Sequence, residues 1–132
     1  MKGISAKISK CLPVGSYLVC ADNSGAKELQ IISVRSVKSR LRRRANAGVA
    51  DVVTCRVSKG NEQMRHQVVK AVIIRQKKPW KRPNGLTVAF EDNAAVLVDD
   101  RFEPKASLIR GPVAKEVVER FPAIGKLASM IV

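Results

Sequence analysis

The sequence predicts a mainly β protein, a small closed barrel followed by a short helical region. Three observations support this fold class. Segments rich in Val, Ile and Thr recur up to Val98 with turn residues between them. An Asn84-Gly85 pair is a strong signal for a hairpin, and apolar residues at helical spacing follow only after Val98. Closure into a barrel is expected because it leaves no exposed strand edge.

The chain is expected to form one domain. No repeat, low-complexity tract or Pro/Ser-rich linker divides its 132 residues, a length that fits one domain and can bury a core. We expect the barrel over about residues 1–100 and a C-terminal loop with short helices over about residues 101–132. Lys2 follows Met1 without an apolar segment, so we expect no secretory signal. No apolar run reaches the roughly 18–20 residues that cross a bilayer.

Seven segments are predicted to be strands, and the third shows the pattern best. Its Ile31 and Val34 are apolar among polar neighbours, as in a strand with one buried face. The turn Asp22-Asn23-Ser24-Gly25 offers an Asx-type cap followed by a glycine suited to positive φ. Asn84-Gly85 suits a tight hairpin. The predicted strands are residues 7–12, 17–21, 29–37, 51–58, 67–75, 86–90 and 94–98.

Helical spacing follows the last of these strands. Gly111-Pro112 is predicted to start a helix, because proline suits the first helical position. Pro122 is predicted to end that helix and to open another, with Ile124, Leu127 and Ala128 on its inner side. The apolar face of the first helix comprises Val113, Ala114, Val117, Val118 and Phe121.

Charge is the strongest signal of function. The chain has 25 Lys and Arg against 11 Asp and Glu, a net charge of +14. Residues 1–50 hold ten basic and two acidic side chains, residues 51–82 hold nine and two, and residues 83–132 hold six and seven. Such an excess repels itself unless a polyanion neutralises it, so nucleic acid is the expected partner. A membrane surface is the weaker alternative, since no segment joins a basic face to an amphipathic helix.

Two basic runs are the candidate binding segments. The first has six cations in ten residues and no acid among them, which predicts an exposed loop or ribbon whose arginines contact phosphate; a solvated surface is the alternative. The second predicts an extended loop off the sheet, where Trp80 either stacks on an unpaired base or covers the barrel end. The first run is Arg35, Lys38, Arg40, Arg42, Arg43 and Arg44, and the second is Arg75, Lys77, Lys78, Trp80, Lys81 and Arg82.

Aromatic content separates two kinds of RNA binder. Only 4% of the residues are aromatic, and none is interleaved with cations along a predicted strand. Proteins that bind single strands stack bases on such aromatic platforms. We therefore expect phosphate and shape recognition of folded, paired RNA, which is salt-sensitive and reads little sequence.

No catalytic residue, metal site or cofactor is expected. Cys11, Cys20 and Cys55 are widely spaced and His66 is the one histidine, so the ligand set of a zinc site is lacking. The cysteines are interpreted as small buried residues in a reducing cytosol, and the histidine as a loop residue. Five acids deserve comparison with a two-metal nuclease, but two pairs of them flank a strand about 20 Å long, which favours capping, turn and ion-pair roles. They are Glu91, Asp92, Asp99, Asp100 and Glu103.

Three motifs occur in an order typical of one known family. The first is Ala21-Asp22-Asn23-Ser24-Gly25-Ala26-Lys27. The second starts at Ala71-Val72-Ile73-Ile74-Arg75 and continues from Pro83 through Asn84-Gly85, Phe90, Asn93 and Ala95-Val96-Leu97. The third is Gly111-Pro112-Val113-Ala114-Lys115-Glu116. Over about residues 4–132 the chain resembles the ribosomal large-subunit protein fourteen family. Its long N-terminus and its ending through Arg120-Phe121-Pro122 look like the archaeal and eukaryotic branch.

The resemblance implies a five-stranded barrel, a projecting β ribbon and a structural role in the cytoplasmic ribosome, without enzyme activity. It also implies binding to large-subunit rRNA, contacts with neighbouring large-subunit proteins and a position facing the small subunit. On that side the family helps form intersubunit bridges to small-subunit rRNA and offers a docking surface for anti-association factors. The matching basic positions are the two runs, together with Lys27 of the first motif. Asp99-Asp100 departs from the usual single acid beside an uncharged residue, which affects only that turn.

Two hypotheses from other classes stay open at this point. A stand-alone nucleic-acid-binding or chromatin protein would bind DNA in a salt-dependent way without joining a particle. A metal-dependent nuclease would lose its activity on replacement of Asp99 and Asp100 by Asn.

Overall fold

A computed structural model, which describes residues 2–35 and 37–132, has a closed five-stranded barrel at its centre. The predicted fold class is confirmed. Met1, in the predicted non-secretory N-terminus, and Ser36, in the predicted strand 29–37, lie outside the described residues. The elements are β1 (Leu12–Pro13), β2 (Tyr17–Cys20), β3 (Ala26–Val34), β4 (Asn46–Ala47), β5 (Val52–Gly60), β6 (Val68–Arg75), β7 (Trp80–Lys81), β8 (Thr87–Val88), β9 (Ala94–Val98), β10 (Ile109–Val113), α1 (Lys115–Arg120), α2 (Pro122–Leu127) and β11 (Ala128–Ile131).

The barrel runs in the order β2, β3, β5, β6 and β9. Neighbouring strands are antiparallel except at the closure, where β2 and β9 are parallel. Along β2, Leu18 and Cys20 are buried while Tyr17 and Val19 are exposed, which is the alternation of a wall with one face on the core. Every residue of β9 is buried. The chain beyond β9 turns back to bridge it at Pro104.

The turn between β2 and β3 has the predicted Asx geometry. One oxygen of the Asp22 carboxylate accepts hydrogen bonds from the Ser24 backbone N–H (3.1 Å) and hydroxyl, and the other accepts from the Leu97 N–H (2.9 Å). Gly25 has a φ of 101°, and a Cβ there would lie 2.7 Å from the amide nitrogen of Asn61. Asp22 is buried, and its hydrogen bond from Leu97 ties this turn to β9.

Several predicted boundaries are wrong. Of the predicted strand 7–12 only Leu12 lies in a strand, the two-residue β1. Of the predicted strand 86–90 only Thr87 and Val88 do, as the two-residue β8. Gly111-Pro112 does not start a helix: parallel pairing with β11 holds this segment in β10, and α1 begins at Lys115. Pro122 does separate the two helices and lies in the first turn of α2, as predicted.

Candidate RNA interface

The first basic run lies between β3 and β4. Residues 37–45 of this connection are called the basic loop. All its cations are exposed, and so is Arg35 at its root. Among the residues that the structure describes, none of them has an acidic partner. The loop therefore presents uncompensated positive charge to solvent, as the sequence predicted. Its cations are Lys38, Arg40, Arg42, Arg43 and Arg44.

A tight turn shapes the tip of the basic loop. The Arg43 N–H donates to the Arg40 carbonyl (3.0 Å), and Arg42 has a φ of 66°. Leu41 lies between them with 92% of its surface exposed. The turn thus displays arginine side chains around an apolar residue that the protein itself leaves uncovered.

Arg75, a predicted RNA contact, is instead committed to the interior. Its Nε and Nη2 donate to the two carboxylate oxygens of Asp92 (2.9 and 3.1 Å). Its Nη1 donates to the carbonyls of Arg110 (2.9 Å) and Pro112 (2.8 Å). A Cβ on Gly111 would lie 2.8 Å from this Nη1, so the close approach requires glycine. Arg75 therefore fixes β10 against the barrel and uses four of its five N–H donors inside the protein.

Trp80 and Arg82 meet a buried acid of α1. The indole Nε1 of Trp80 donates to Oε1 of Glu116 (3.1 Å), and the ring packs 5.9 Å from that of Phe90, centroid to centroid. Arg82 donates to both carboxylate oxygens of Glu116 (2.8 and 3.1 Å) and to the Val132 carbonyl (2.7 Å). With 2% of its surface exposed, Trp80 covers the barrel end and offers no face to a base.

The electrostatics of Glu116 follow from these contacts. Burial alone would raise the pKa of this carboxyl, but the hydrogen bonds from Arg82 and Trp80 and the charge of Arg82 leave the pKa below its ordinary value. Glu116 is therefore ionised at neutral pH and neutralises Arg82. Sequence reasoning missed this acid because its partners precede it by 34 and 36 residues.

The remaining cations of the second run are exposed. β7 and β8 form a short ribbon that turns at Asn84-Gly85, where Gly85 has a φ of 85°. Behind it, buried Gln76 accepts from the Val49 N–H (3.0 Å) and donates to the carbonyls of Ser9 and Lys78. The basic ribbon, defined as Lys77, Lys78 and Lys81, is thereby held on a fixed backbone.

Lys27 is also exposed, on β3 of the barrel wall, outside both basic segments. Ten of the thirteen predicted residues thus remain open to a ligand.

Three of the five acids, Asp92, Asp99 and Asp100, have the structural roles that the spacing favoured. Asp92 pairs with Arg75, and the exposed Asp100 accepts a hydrogen bond from the Lys70 ammonium, which lowers the pKa of Asp100. Asp99 caps a turn by accepting from the N–H groups of Arg101 (2.9 Å) and Glu103 (3.0 Å). Within residues 2–35 and 37–132, no group of His, Cys, Asp or Glu side chains is arranged to hold a metal ion.

The three cysteines are free thiols. Cys20 and Cys55 are buried, and burial raises the pKa of each thiol to about 12. Cys11 is partly buried, and its pKa is also raised. His66 is exposed in the β5–β6 loop with a φ of 64°. In the part of the chain that the structure describes, no helix is long and apolar enough to span a bilayer.

Comparison with known proteins decides the family. The family model described as "Ribosomal protein L14p/L23e" matches residues 11–132. The chain belongs to this family. It is 50% identical to "Large ribosomal subunit protein uL14" of Halorubrum lacusprofundi over 132 residues, all of both chains. It is 51% identical to the protein of that name in Methanococcus vannielii over 131 residues (99% of each chain), and 48% identical to that of Halobacterium salinarum over 132. The L14p/L23e family is one of ribosomal proteins and not of enzymes, and its archaeal members are among these relatives.

Proposed function

We propose that the chain is a structural constituent of the large ribosomal subunit in the cytoplasm and that it binds large-subunit rRNA through phosphate and shape contacts. The observation that carries this proposal is the basic loop, whose five cations face solvent without an acidic partner among the described residues. An isolated protein gains nothing from such a concentration of like charge, whereas an RNA backbone neutralises it. Membership of a ribosomal protein family supports the same assignment.

The contacts are expected to read phosphate rather than bases. Among the described residues the arginines around the Arg40–Arg43 turn have no acidic partner, so their guanidinium groups can meet phosphate oxygens. Leu41 at the tip can pack on ribose or base edges. The three lysines of the basic ribbon add a second group of point charges. Of the five aromatic residues, only Tyr17 is largely exposed, so the described surface lacks a stacking platform.

The C-terminal part of the chain is proposed to face protein. Residues 83–132 are nearly neutral, and their exposed large apolar side chains include the end of the β10–β11 sheet. Exposed apolar groups rimmed by polar residues are typical of protein contacts. We infer that neighbouring large-subunit proteins and anti-association factors bind this end, while small-subunit rRNA is met across the intersubunit interface. The exposed large apolar residues of this part of the chain are Leu86, Leu108, Met130, Ile131 and Val132.

The salt dependence of binding to large-subunit rRNA tests the proposal. A loop variant with Arg42→Gly, Arg43→Ala and Arg44→Ala should bind more weakly. Its plot of log affinity against log salt should be shallower by up to about three, one for each lost phosphate contact. Glycine is chosen at 42 because it suits the φ of 66° there.

A second triple variant has the same change in charge outside both basic segments. Arg56→Ala, Lys59→Ala and Arg65→Ala remove three exposed cations from β5 and the loop after it. The proposal predicts that this control keeps a slope close to that of the wild type. Equal slopes for the loop variant and the wild type would show that the basic loop does not neutralise rRNA phosphates.

A further inference from the structure

A cleft at the root of the basic loop collects cations that are distant in sequence, and none of these cations belongs to the basic loop or the basic ribbon. It has a volume of about 500 Å³ and lies between the N-terminal segment, the root of the basic loop and the end of α1. Four of its lining residues are basic, Lys2, Lys10, Arg35 and Arg120, and one is acidic, Asp51. The lining therefore carries a formal charge of +3 at neutral pH.

Two of the cations are held in place before any ligand arrives. Arg120 donates from Nε to the Lys2 carbonyl (3.0 Å) and from Nη1 to the Ala50 carbonyl (3.1 Å). The guanidinium of Arg35 stacks over the Phe102 ring, 4.6 Å from its centroid. Among the described residues Arg35 has no acidic partner, so its N–H groups can donate to a ligand while the cation rests on the ring. Ordering such side chains in advance lowers the entropy that binding costs.

The single acid organises the cleft rather than neutralising it. One oxygen of Asp51 accepts from the Lys10 ammonium (2.6 Å) and from the Gly48 N–H (2.8 Å). The other lies 3.8 Å from Nη1 of Arg120, so one carboxylate faces two cations. Lys2 and Arg35 have no acidic partner among the described residues.

The rest of the lining is largely apolar. Val34, Val37 and Val52 contribute to the cleft wall beside the cations. Val34 and Val52 come from β3 and β5, which pair in the barrel, so this wall is part of a fixed sheet. A positive rim next to an apolar wall matches a ligand with a charged group and a flat apolar body.

We propose that this cleft binds the phosphate of a nucleotide, with the sugar and base against the valine wall. A phosphodiester of rRNA and a free nucleotide share this chemistry. Binding of rRNA here would rest on the proposed function, whereas binding of a free nucleotide would not. An occupied cleft joins the N-terminal segment, the root of the basic loop and α1 through one anion, and it adds cations that neither basic segment contains.

Titration of the full-length chain with adenosine 5′-monophosphate at constant ionic strength tests the proposal. The probe should give saturable NMR shifts at the Nε–H signals of Arg35 and Arg120, and adenosine without phosphate should not. Lys10→Ala should weaken binding about tenfold, the effect of one charge-assisted hydrogen bond. Lys70→Ala is the matched control, since the side chains of Lys10 and Lys70 are both 44% exposed and each pairs with one aspartate. It should bind as the wild type does.

A variant that should bind the nucleotide more tightly separates loss of the site from loss of the fold. Asp51→Asn removes the only carboxylate of the cleft lining but keeps an oxygen to accept from the Gly48 N–H. It should bind the nucleotide several-fold more tightly, an outcome that a damaged fold does not produce. No saturable shift, equal shifts with adenosine, or an unchanged affinity of Lys10→Ala would overturn the assignment.

The rRNA salt slope then identifies the source of the phosphate. If rRNA occupies the cleft, Lys10→Ala lowers the slope by about one relative to Lys70→Ala. If the nucleotide binds but the slopes agree, the cleft is a site for a free nucleotide and the phosphate assignment stands. Equal rRNA salt slopes for the basic-loop variant and the wild type would contradict the proposed function. Lack of saturable nucleotide binding would contradict only the assignment of the cleft.

Discussion

The carboxylate of Glu116 connects three parts of the fold that lie far apart in sequence. Its side chain is 3% exposed, and it accepts three hydrogen bonds from Trp80 and Arg82. Arg82 is itself 13% exposed and also binds the Val132 carbonyl. Loss of the carboxylate charge would leave a guanidinium that is largely out of water without its one carboxylate side-chain partner among the described residues.

Replacement of Glu116 by Gln should therefore lower the free energy of unfolding at pH 7 by about 3 kcal/mol. Breaking a buried pair by removal of one partner costs about 3–5 kcal/mol, and the lower end applies because the amide oxygen can still accept a hydrogen bond. For a chain of this length, that loss corresponds to a fall in Tm of roughly 12 °C. Glu28→Gln is the control. The Glu28 carboxylate lies 3.4 Å from the ammonium of Lys59, whose side chain is well exposed, so loss of this pair should cost less than about 1 kcal/mol.

The dependence on pH provides the sharper test. Because the pKa of Glu116 lies below its ordinary value of 4.5 in the folded protein, the stabilisation is fully present above that value and is lost as the pH falls through the folded pKa. Urea unfolding of the wild type and Glu116→Gln should differ most near pH 7 and should converge on acidification. A difference below about 0.5 kcal/mol at pH 7, or one that persists unchanged into the acid range, would refute the reasoning.

Three further predictions concern the thiols, the loop turn and the domain. In native protein at pH 8, iodoacetamide should alkylate Cys11 slowly and Cys20 and Cys55 negligibly. All three thiols should react in urea. Fast labelling of Cys55 in the native protein would contradict its burial. Arg42→Gly should leave the free energy of unfolding unchanged or raise it by up to about 1 kcal/mol, whereas Arg42→Val should lower it, because a β-branched residue fits a φ of 66° poorly. The single domain stays a prediction: far-UV circular dichroism and tryptophan fluorescence should report coincident unfolding transitions, and separate midpoints would indicate two units.

The parts of the fold that depend on local chemistry were predictable from the sequence. The Asx turn at Asp22 and the ribbon turn at Asn84-Gly85 depend on residues within four positions of each other, and both form as expected. The start of α1 was not predictable from Gly111-Pro112. The partner that keeps this segment in a strand is β11, which follows two helices later.

The same distinction applies to the candidate site. Exposure of the basic loop could be predicted because the run contains no acid that could neutralise it locally. The burial of Arg75 and the partial burial of Arg82 could not, since their acidic partners lie 17 and 34 residues away. The cationic cleft was missed for the same reason: Lys10 and Arg120 belong to no run, and only the fold brings them to one carboxylate.

Sedimentation of a cell lysate over a sucrose gradient tests the central claim most directly. Fractions from low-salt and high-salt gradients would be probed for this chain, with rRNA as the marker of subunits and intact ribosomes. Assignment to the large subunit predicts co-migration with large subunits and intact ribosomes that survives the high-salt wash. Recovery of the chain only at the top of the gradient at both salt concentrations would contradict the assignment and would favour a free nucleic-acid-binding protein.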